Sequence, residues 1–421
     1  MADESLLSDD VIRQLVAVGQ VDVLVGIPTL NNAATVAGVV QAVQAGLTTH
    51  LPRARTLLLN SDGGSQDGTP AIVQQAAADE GGTLTTSHRL RTAHRIVTPY
   101  MGPVGKSSAL RLIFAAADLL QASAVAVIDA EMMSVTPEWV PALVGPIRRE
   151  GMDFTSPVYA RHPLDSPLVT QLARPVVGGV LGRGVREPLA GEFGCAGRFA
   201  AHCLEETAVW ESSLAQQGMD VWVLTTALAG GFRVAQSRLG PRVVDPGRPT
   251  PELPDLFQQV VGTVFTCLEW HAEAWLSRDA SQDVPLTGPT GEIPAAAPIP
   301  ALAPMADAFA RNVHDLQPVL AEFLTVETVA SIIAAASVPP RFTDEAWAAT
   351  VMEFLLAHHR GVMKREHIAQ ALLPLYLGRT ASFLGEHTMS APSDIDAALG
   401  RLCGAFEQAR SRLVEGWPRT S

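Results

Sequence analysis

Five short segments of this chain hold side chains that could do chemistry. The first is Asn60-Ser61-Asp62-Gly63-Gly64-Ser65-Gln66-Asp67-Gly68-Thr69. Its small residues let backbone approach a ligand, and Asp62 could accept hydrogen bonds from a base or ribose, or simply shape a turn and helix cap. The second, Gly105-Lys106-Ser107-Ser108, puts a lysine at a helix start, where it serves a phosphate or is merely solvated. The third, Asp129-Ala130-Glu131, ends the apolar run Ala124 to Ile128. Strand side chains alternate, so its two carboxylates share one side, either as a solvated strand end or as oxygen ligands for Mg²⁺ or Mn²⁺ bridging phosphates. The fourth runs from Arg186 to Gly194, where Glu192 stands among glycines that bring backbone close to a ligand. The fifth, Gln217-Gly218-Met219-Asp220, sets a carboxylate at the start of a helix, as a cap or as a site group.

Other chemistries drop out. A phosphate-binding GxxxxGK[ST] loop would need glycine where Tyr100 stands, and no GxGxxG follows the first strand, which argues against a dinucleotide-dependent dehydrogenase. The segment Ile27 to Asn32 has no basic residue for a nucleotidyltransferase's triphosphate loop. Cys195, Cys203, Cys267 and Cys403 form no CxxC pair and read as reduced core thiols. His162 and His202 lack partners at ligand spacing and read as structural. With 30 Lys+Arg against 43 Asp+Glu, a formal net charge of −13 and no basic run, nucleic-acid binding is not expected. The acidic start and the lack of about 18 uninterrupted apolar residues predict no signal peptide and no membrane span, hence a cytoplasmic protein.

The elements that must position these groups alternate in type. Val21 to Leu30 contains an apolar run stopped by Pro28, the pattern of a strand buried on both faces, and Thr35 to Ala45 reads as helix. Strands recur at Thr56 to Leu59, Arg95 to Thr98 and Ala124 to Ile128, with helices at Ile72 to Ala77 and Ser107 to Leu120. Alternation predicts a parallel sheet with covered faces, whose ligands lie beyond the strands' carboxyl ends. Pro28 to Asn32, Ser61 to Gly68, Tyr100 to Lys106 and Asp129 to Glu131 stand there. From Met152 to Asp245, strands at Phe154 to Tyr159 and Phe232 to Arg238 and helices at Pro167 to Val180 and Asp220 to Leu228 read as the same domain continuing. The apolar stripe from Leu253 to Leu268 is explained by helix packing. Ser277 to Pro304 is rich in proline and alanine, as a linker is, and the rest is helical by pattern. The 421 residues, 47% of them hydrophobic, suggest two or three structural units.

In order, strand-IPTLNN, SDGGSQDGT, GK before a helix, DAE with SVTPEW, REPLAGEF and QGMDVW resemble a family 2-like glycosyltransferase of the GT-A fold. The resemblance, to the group of the glucosyl-3-phosphoglycerate and mannosylglycerate synthases, spans about Val21 to Trp275; LLPLYLGRTASF at Leu372 to Phe383 resembles the extension of longer members. It implies an α/β protein with a Rossmann-like mixed sheet flanked by helices and a C-terminal helical extension. The implied organisation is a lead at 1–20, a GT-A domain at 21–276 divided at 131 into nucleotide and sugar/acceptor halves, a linker at 277–304 and helices at 305–421. The implied reaction moves a hexose from a donor of the UDP-glucose or GDP-mannose type, with retention, to a small hydroxylated acceptor such as glycerate or phosphoglycerate.

The resemblance also implies residue roles. Pro28, Thr29 and Leu30 line the base, Asp62 meets base or ribose, and Lys106 lies near the phosphates. Asp129 and Ala130 hold the ribose; Asp129 with Glu131 and Asp245 would hold a divalent metal. Glu192 and Asp220 act on the sugar by binding or electrostatic support, and Tyr159, Arg161 and Thr170 face the acceptor. Homodimerisation is left open. Three departures stand out. Glu131 reaches about 1.5 Å further than the aspartate usual there, and octahedral Mg²⁺ tolerates little misplacement. Val244 stands where the relatives have a metal-binding histidine, and the adjacent Asp245 points the other way in an extended segment. Asn32 replaces a common acidic residue, so base selectivity can differ. Metal dependence is therefore expected to be weaker than in the relatives, and the competing reading is a glycosyltransferase-like nucleotide-sugar sensor or scaffold without turnover.

Overall fold

The computed structural model describes residues 7–78, 94–99, 106–247, 251–278 and 280–418. Tyr100 to Gly105, part of the expected phosphate-side loop, lie outside them. The strands in chain order are β1 (Val23–Thr29), β2 (Thr56–Asp62), β3 (His94–Pro99), β4 (Ala124–Val127), β5 (Phe154–Ala160), β6 (Phe193–Ala196), β7 (Val234–Pro241) and β8 (Leu286–Thr287). They form one mixed sheet in the order β3-β2-β1-β4-β6-β5-β7-β8. Among the described strands only β6 runs antiparallel to its neighbours, β4 and β5. The expected α/β class with a mixed, helix-flanked sheet is what the chain forms.

β1 is buried along its whole length, because helices cover both faces. Val23, Val25 and Ile27 pack with Val36, Val39, Val40 and Val43 of the helix Val36–His50. On the opposite face Gly26 meets the helix Lys106–Leu119 so closely that a Cβ would lie 2.6 Å from Ile113 Cδ1. A strand glycine that admits a close neighbour is the reason for this packing. The same strand marks the switch point: β2 flanks β1 on one side and β4 on the other, the place where open α/β sheets bind ligands at their carboxyl ends.

Two compact units divide the chain: 1–160 with 190–249 and 285–291, and 161–189 with 250–284 and 292–421. This cuts across the single span 21–276 expected from the sequence, since segments inside that span group with the C-terminal helices. The proline-rich stretch is not linker throughout, because β8 within it pairs with β7. The second unit is helical. Its buried centre holds Arg379, 4% exposed, which donates to Gln171 Oε1 at 2.9 Å, Phe342 O at 2.6 Å and Asp344 Oδ1 at 2.6 Å. Among the described residues no helix is long and apolar enough to cross a membrane.

Candidate functional site

The loops after β1 and β2 are stitched together by side chains. Asn31, at φ 56, donates its N–H to Ser65 Oγ at 2.8 Å and accepts from Gln66 N–H at 2.9 Å. Asn32 N–H donates to Thr69 Oγ1 at 2.8 Å, and Ala33 N–H to Asp67 Oδ2 at 2.9 Å. Asn32 Oδ1 is spent on Leu30 N–H at 2.7 Å. Asp62, 4% exposed, takes four donors from its own chain: Thr29 Oγ1 at 2.8 Å, Ser65 Oγ at 2.6 Å, and the N–H groups of Gly64 at 3.0 Å and Ser65 at 2.9 Å. A carboxylate has about four lone-pair sites, so here Asp62 is the organiser of the turn. Pro28 and Thr29 are enclosed in β1 and support this loop from behind.

In front of it lies a cleft of about 340 Å³ lined by Leu30, Asn31, Asn32, Thr35, Glu131, Asp245 and Gly247. Of the three residues expected at the base, Leu30 alone is among them. Thr35, which sequence reasoning passed over as a helix start, donates Oγ1 to Ala130 O at 2.5 Å. It thereby ties the helix after β1 to the segment after β4. Ala130 itself is fully buried, and what it contributes is that carbonyl.

Register brings the acidic groups together. Val127 of β4 pairs with Phe193 of β6 in antiparallel sense, so the residues after β4 and before β6 emerge at one edge of the sheet. Asp129 and Gly191 meet there at Lys106, the first residue of its helix. Lys106 Nζ lies 3.2 Å from Asp129 Oδ2, 3.2 Å from Gly191 O and 3.0 Å from Asp220 Oδ2. The lysine is about one quarter exposed, as is Asp129, with Asp220 similar. The ammonium stands at a helix N-terminus, where the macrodipole disfavours positive charge, and the carboxylates compensate. Burial alone would lower its pKa, but Asp220, Asp129 and Glu192 outweigh burial and hold it above the ordinary lysine value. Asp220 is therefore a partner of Lys106; burial pushes its own pKa up against the pull of that lysine.

Glu192, 1% exposed, accepts a hydrogen bond from the Tyr159 hydroxyl. The Arg242 guanidinium stands 5.7 Å from the Tyr159 ring centroid. Burial, then the nearby Asp129 charge, raise the Glu192 pKa above its usual range, while Lys106, Tyr159 and Arg242 oppose the rise. Of the other expected acceptor residues, Arg161 and Thr170 belong to the second unit. Arg161 pairs there with Glu187 and donates to Ser166 Oγ at 2.9 Å. Thr170 is buried in the π-helical turn Leu168–Ala173. His162 holds a turn through Leu164 N–H at 3.3 Å and His202 packs on the Phe232 ring at 5.2 Å, in keeping with structural histidines.

Asp129, Glu131 and Asp245 do not assemble into an ion cage. Asp129 spends Oδ2 on Lys106 and Oδ1 on Glu131 N–H at 3.2 Å. Val244 brings no side-chain donor atom; it forms a bridge with Met132. Glu131 and Asp245 line the cleft as a pair, but among the described residues no group of three His, Cys, Asp or Glu side chains is arranged to hold a metal. The donor set present does not fit a preformed divalent site.

No protein-family profile and no curated protein sequence matches the chain. It is similar to solved structures of glucosyl-3-phosphoglycerate synthase from Mycobacterium tuberculosis. One, in complex with Mg²⁺ and uridine-diphosphate, is 24% identical, with TM-score 0.41, over 62% of this chain and 83% of that one. Another, with Mn²⁺, uridine-diphosphate-glucose and phosphoglyceric acid, is 23% identical, with TM-score 0.42, over 63% and 84%.

Proposed function

We propose that this chain is a nucleotide-sugar-dependent glycosyltransferase of the GT-A type, which moves a hexose from a nucleoside diphosphate sugar to a small hydroxylated acceptor. The observation that carries the reading is a polar cleft at the β1/β4 switch point with a lysine-carboxylate cluster at the same sheet edge. The stitched loops present Leu30, Asn31 and Asn32 to a nucleoside, and Lys106 supplies positive charge toward a departing diphosphate. Glu192 and Asp220 give electrostatic support at the sugar rather than a named nucleophile. A donor of the UDP-glucose or GDP-mannose type, an anionic acceptor such as glycerate or phosphoglycerate, and retention of configuration complete the proposal. They rest on the order of the sequence motifs.

Thermal melting against a panel of nucleotides and nucleotide sugars tests this. A ligand at about 100 times its Kd adds roughly 2.7 kcal/mol, so one sugar nucleotide should raise the melting temperature selectively, and no shift with any of them would refute the reading. A second reading, a nucleotide-sugar sensor without turnover, is favoured by the engaged Asp129 and by Val244. It predicts that Val244→His creates turnover absent from the wild type, and robust wild-type turnover would exclude it.

A further inference from the structure

The cation seat of the site already has an occupant that belongs to the chain. Lys106 Nζ is within hydrogen-bond distance of Asp129 Oδ2, Asp220 Oδ2 and the Gly191 carbonyl, at 3.2, 3.0 and 3.2 Å. Gly191 lies close against the pair of Lys106 and Asp129: a Cβ at position 191 would stand 2.5 Å from Nζ and 2.9 Å from Asp129 Oδ2, so a side chain there would displace the ends of both. Asp129 is engaged on both oxygens, since Glu131 N–H donates to the second at 3.2 Å. A divalent ion bound to these carboxylates would have to sit beside an ammonium about 3 Å from the same oxygens, and like charges at that range repel by more than a kcal/mol even in a watery dielectric.

We propose that Lys106 is the resident cation of this site: its ammonium sits between Asp129, Asp220 and Gly191 and takes the Asp129 carboxylate that a divalent ion held with Glu131 and Asp245 would share, so a diphosphate is met by an amine. The second half of this statement rests on the proposed nucleotide-sugar binding; the first does not. It follows that the free protein holds Mn²⁺ weakly, that nucleotide binding survives chelation, and that removing the amine opens the carboxylates to metal.

The test is a Mn²⁺ titration of the full chain without nucleotide, read by the electron paramagnetic resonance signal of free Mn²⁺, for wild type and Lys106→Met. The variant is expected to bind Mn²⁺ at least about tenfold more tightly. Equal affinity of the two proteins, or tight stoichiometric binding by the wild type alone, overturns the proposal, and the latter result needs no variant to fold. A companion titration of wild type with UDP in EDTA and in Mn²⁺ should agree within about twofold, a difference of ~0.4 kcal/mol. UDP binding that vanishes in EDTA and returns with Mn²⁺ also overturns it. If UDP and every other nucleotide fail to bind under both conditions, the glycosyltransferase reading fails, while the nucleotide-free Mn²⁺ titration still decides the role of Lys106.

Discussion

Replacing Asp62 with alanine separates a loop organiser from a ligand contact. The carboxylate takes four hydrogen bonds and is 4% exposed. One donor, the Thr29 hydroxyl, is enclosed, and losing a charge-assisted bond to an enclosed donor costs about 1.5–3 kcal/mol. The donors on Gly64 and Ser65 lie nearer to water and lose about 0.5 kcal/mol each. Allowing for non-additivity, the loss is about 3 kcal/mol. In a unit of roughly 150–250 residues each kcal/mol moves the melting point by about 2–4 °C, so the ligand-free variant should melt about 6–12 °C lower. Asp62→Asn, which keeps an acceptor oxygen, should fall between. Calorimetric melting without ligand is the assay. A melting point within about 2 °C of wild type, accompanied by lost nucleotide binding, would refute the organiser role and make Asp62 a ligand contact.

Three further outcomes are expected. Tyr159→Phe removes a bond that holds the Glu192 pKa down. Because that pKa is raised in the folded state, folding binds the proton and stability falls as pH rises from the ordinary glutamate range through the raised value. The variant should therefore lose about 1–3 kcal/mol, more at about pH 8 than at about pH 4, and chemical denaturation showing equal loss at both would contradict it. Gly191→Ala places a Cβ 2.5 Å from Lys106 Nζ, the end of a flexible side chain that can shift; isothermal calorimetry should show nucleotide-sugar affinity weakened by about two- to fivefold, and a gain in affinity would contradict the placing of Lys106 toward the ligand. In the second unit, Arg379→Met strips Asp344 and Gln171 of their buried partner, and its transition in differential scanning calorimetry should show a loss of about 3–5 kcal/mol.

β1, β2 and β4 are legible in the sequence because strands buried on both faces read as continuous apolar runs. β6 is not: Phe193–Ala196 has four residues in a glycine-rich setting, and only its pairing with β4 and β5 makes it a strand. β8, two residues in a proline-rich stretch, is hidden for the same reason. The grouping of 161–189 with the C-terminal helices is a tertiary fact without local signature. Lys106, Asp129, Glu192 and Asp220 each stand out by type and place. That Asp129, Gly191 and Asp220 share one ammonium does not, since they lie 23, 85 and 114 residues from Lys106. The stitching by Asn31 and Asp67 left one trace, an asparagine where the chain takes a positive φ.

The most direct test of the central claim is transfer itself. The full chain is incubated with UDP-glucose or GDP-mannose and with glycerate or phosphoglycerate, and products are read by mass spectrometry and by the anomeric proton signals. One donor-acceptor pair should give a product one hexosyl unit heavier than the acceptor, in the anomeric configuration of the donor, and Lys106→Met should abolish its formation. A protein that binds the sugar nucleotide yet forms no product with any small hydroxylated acceptor would contradict the account and leave a sensor in its place.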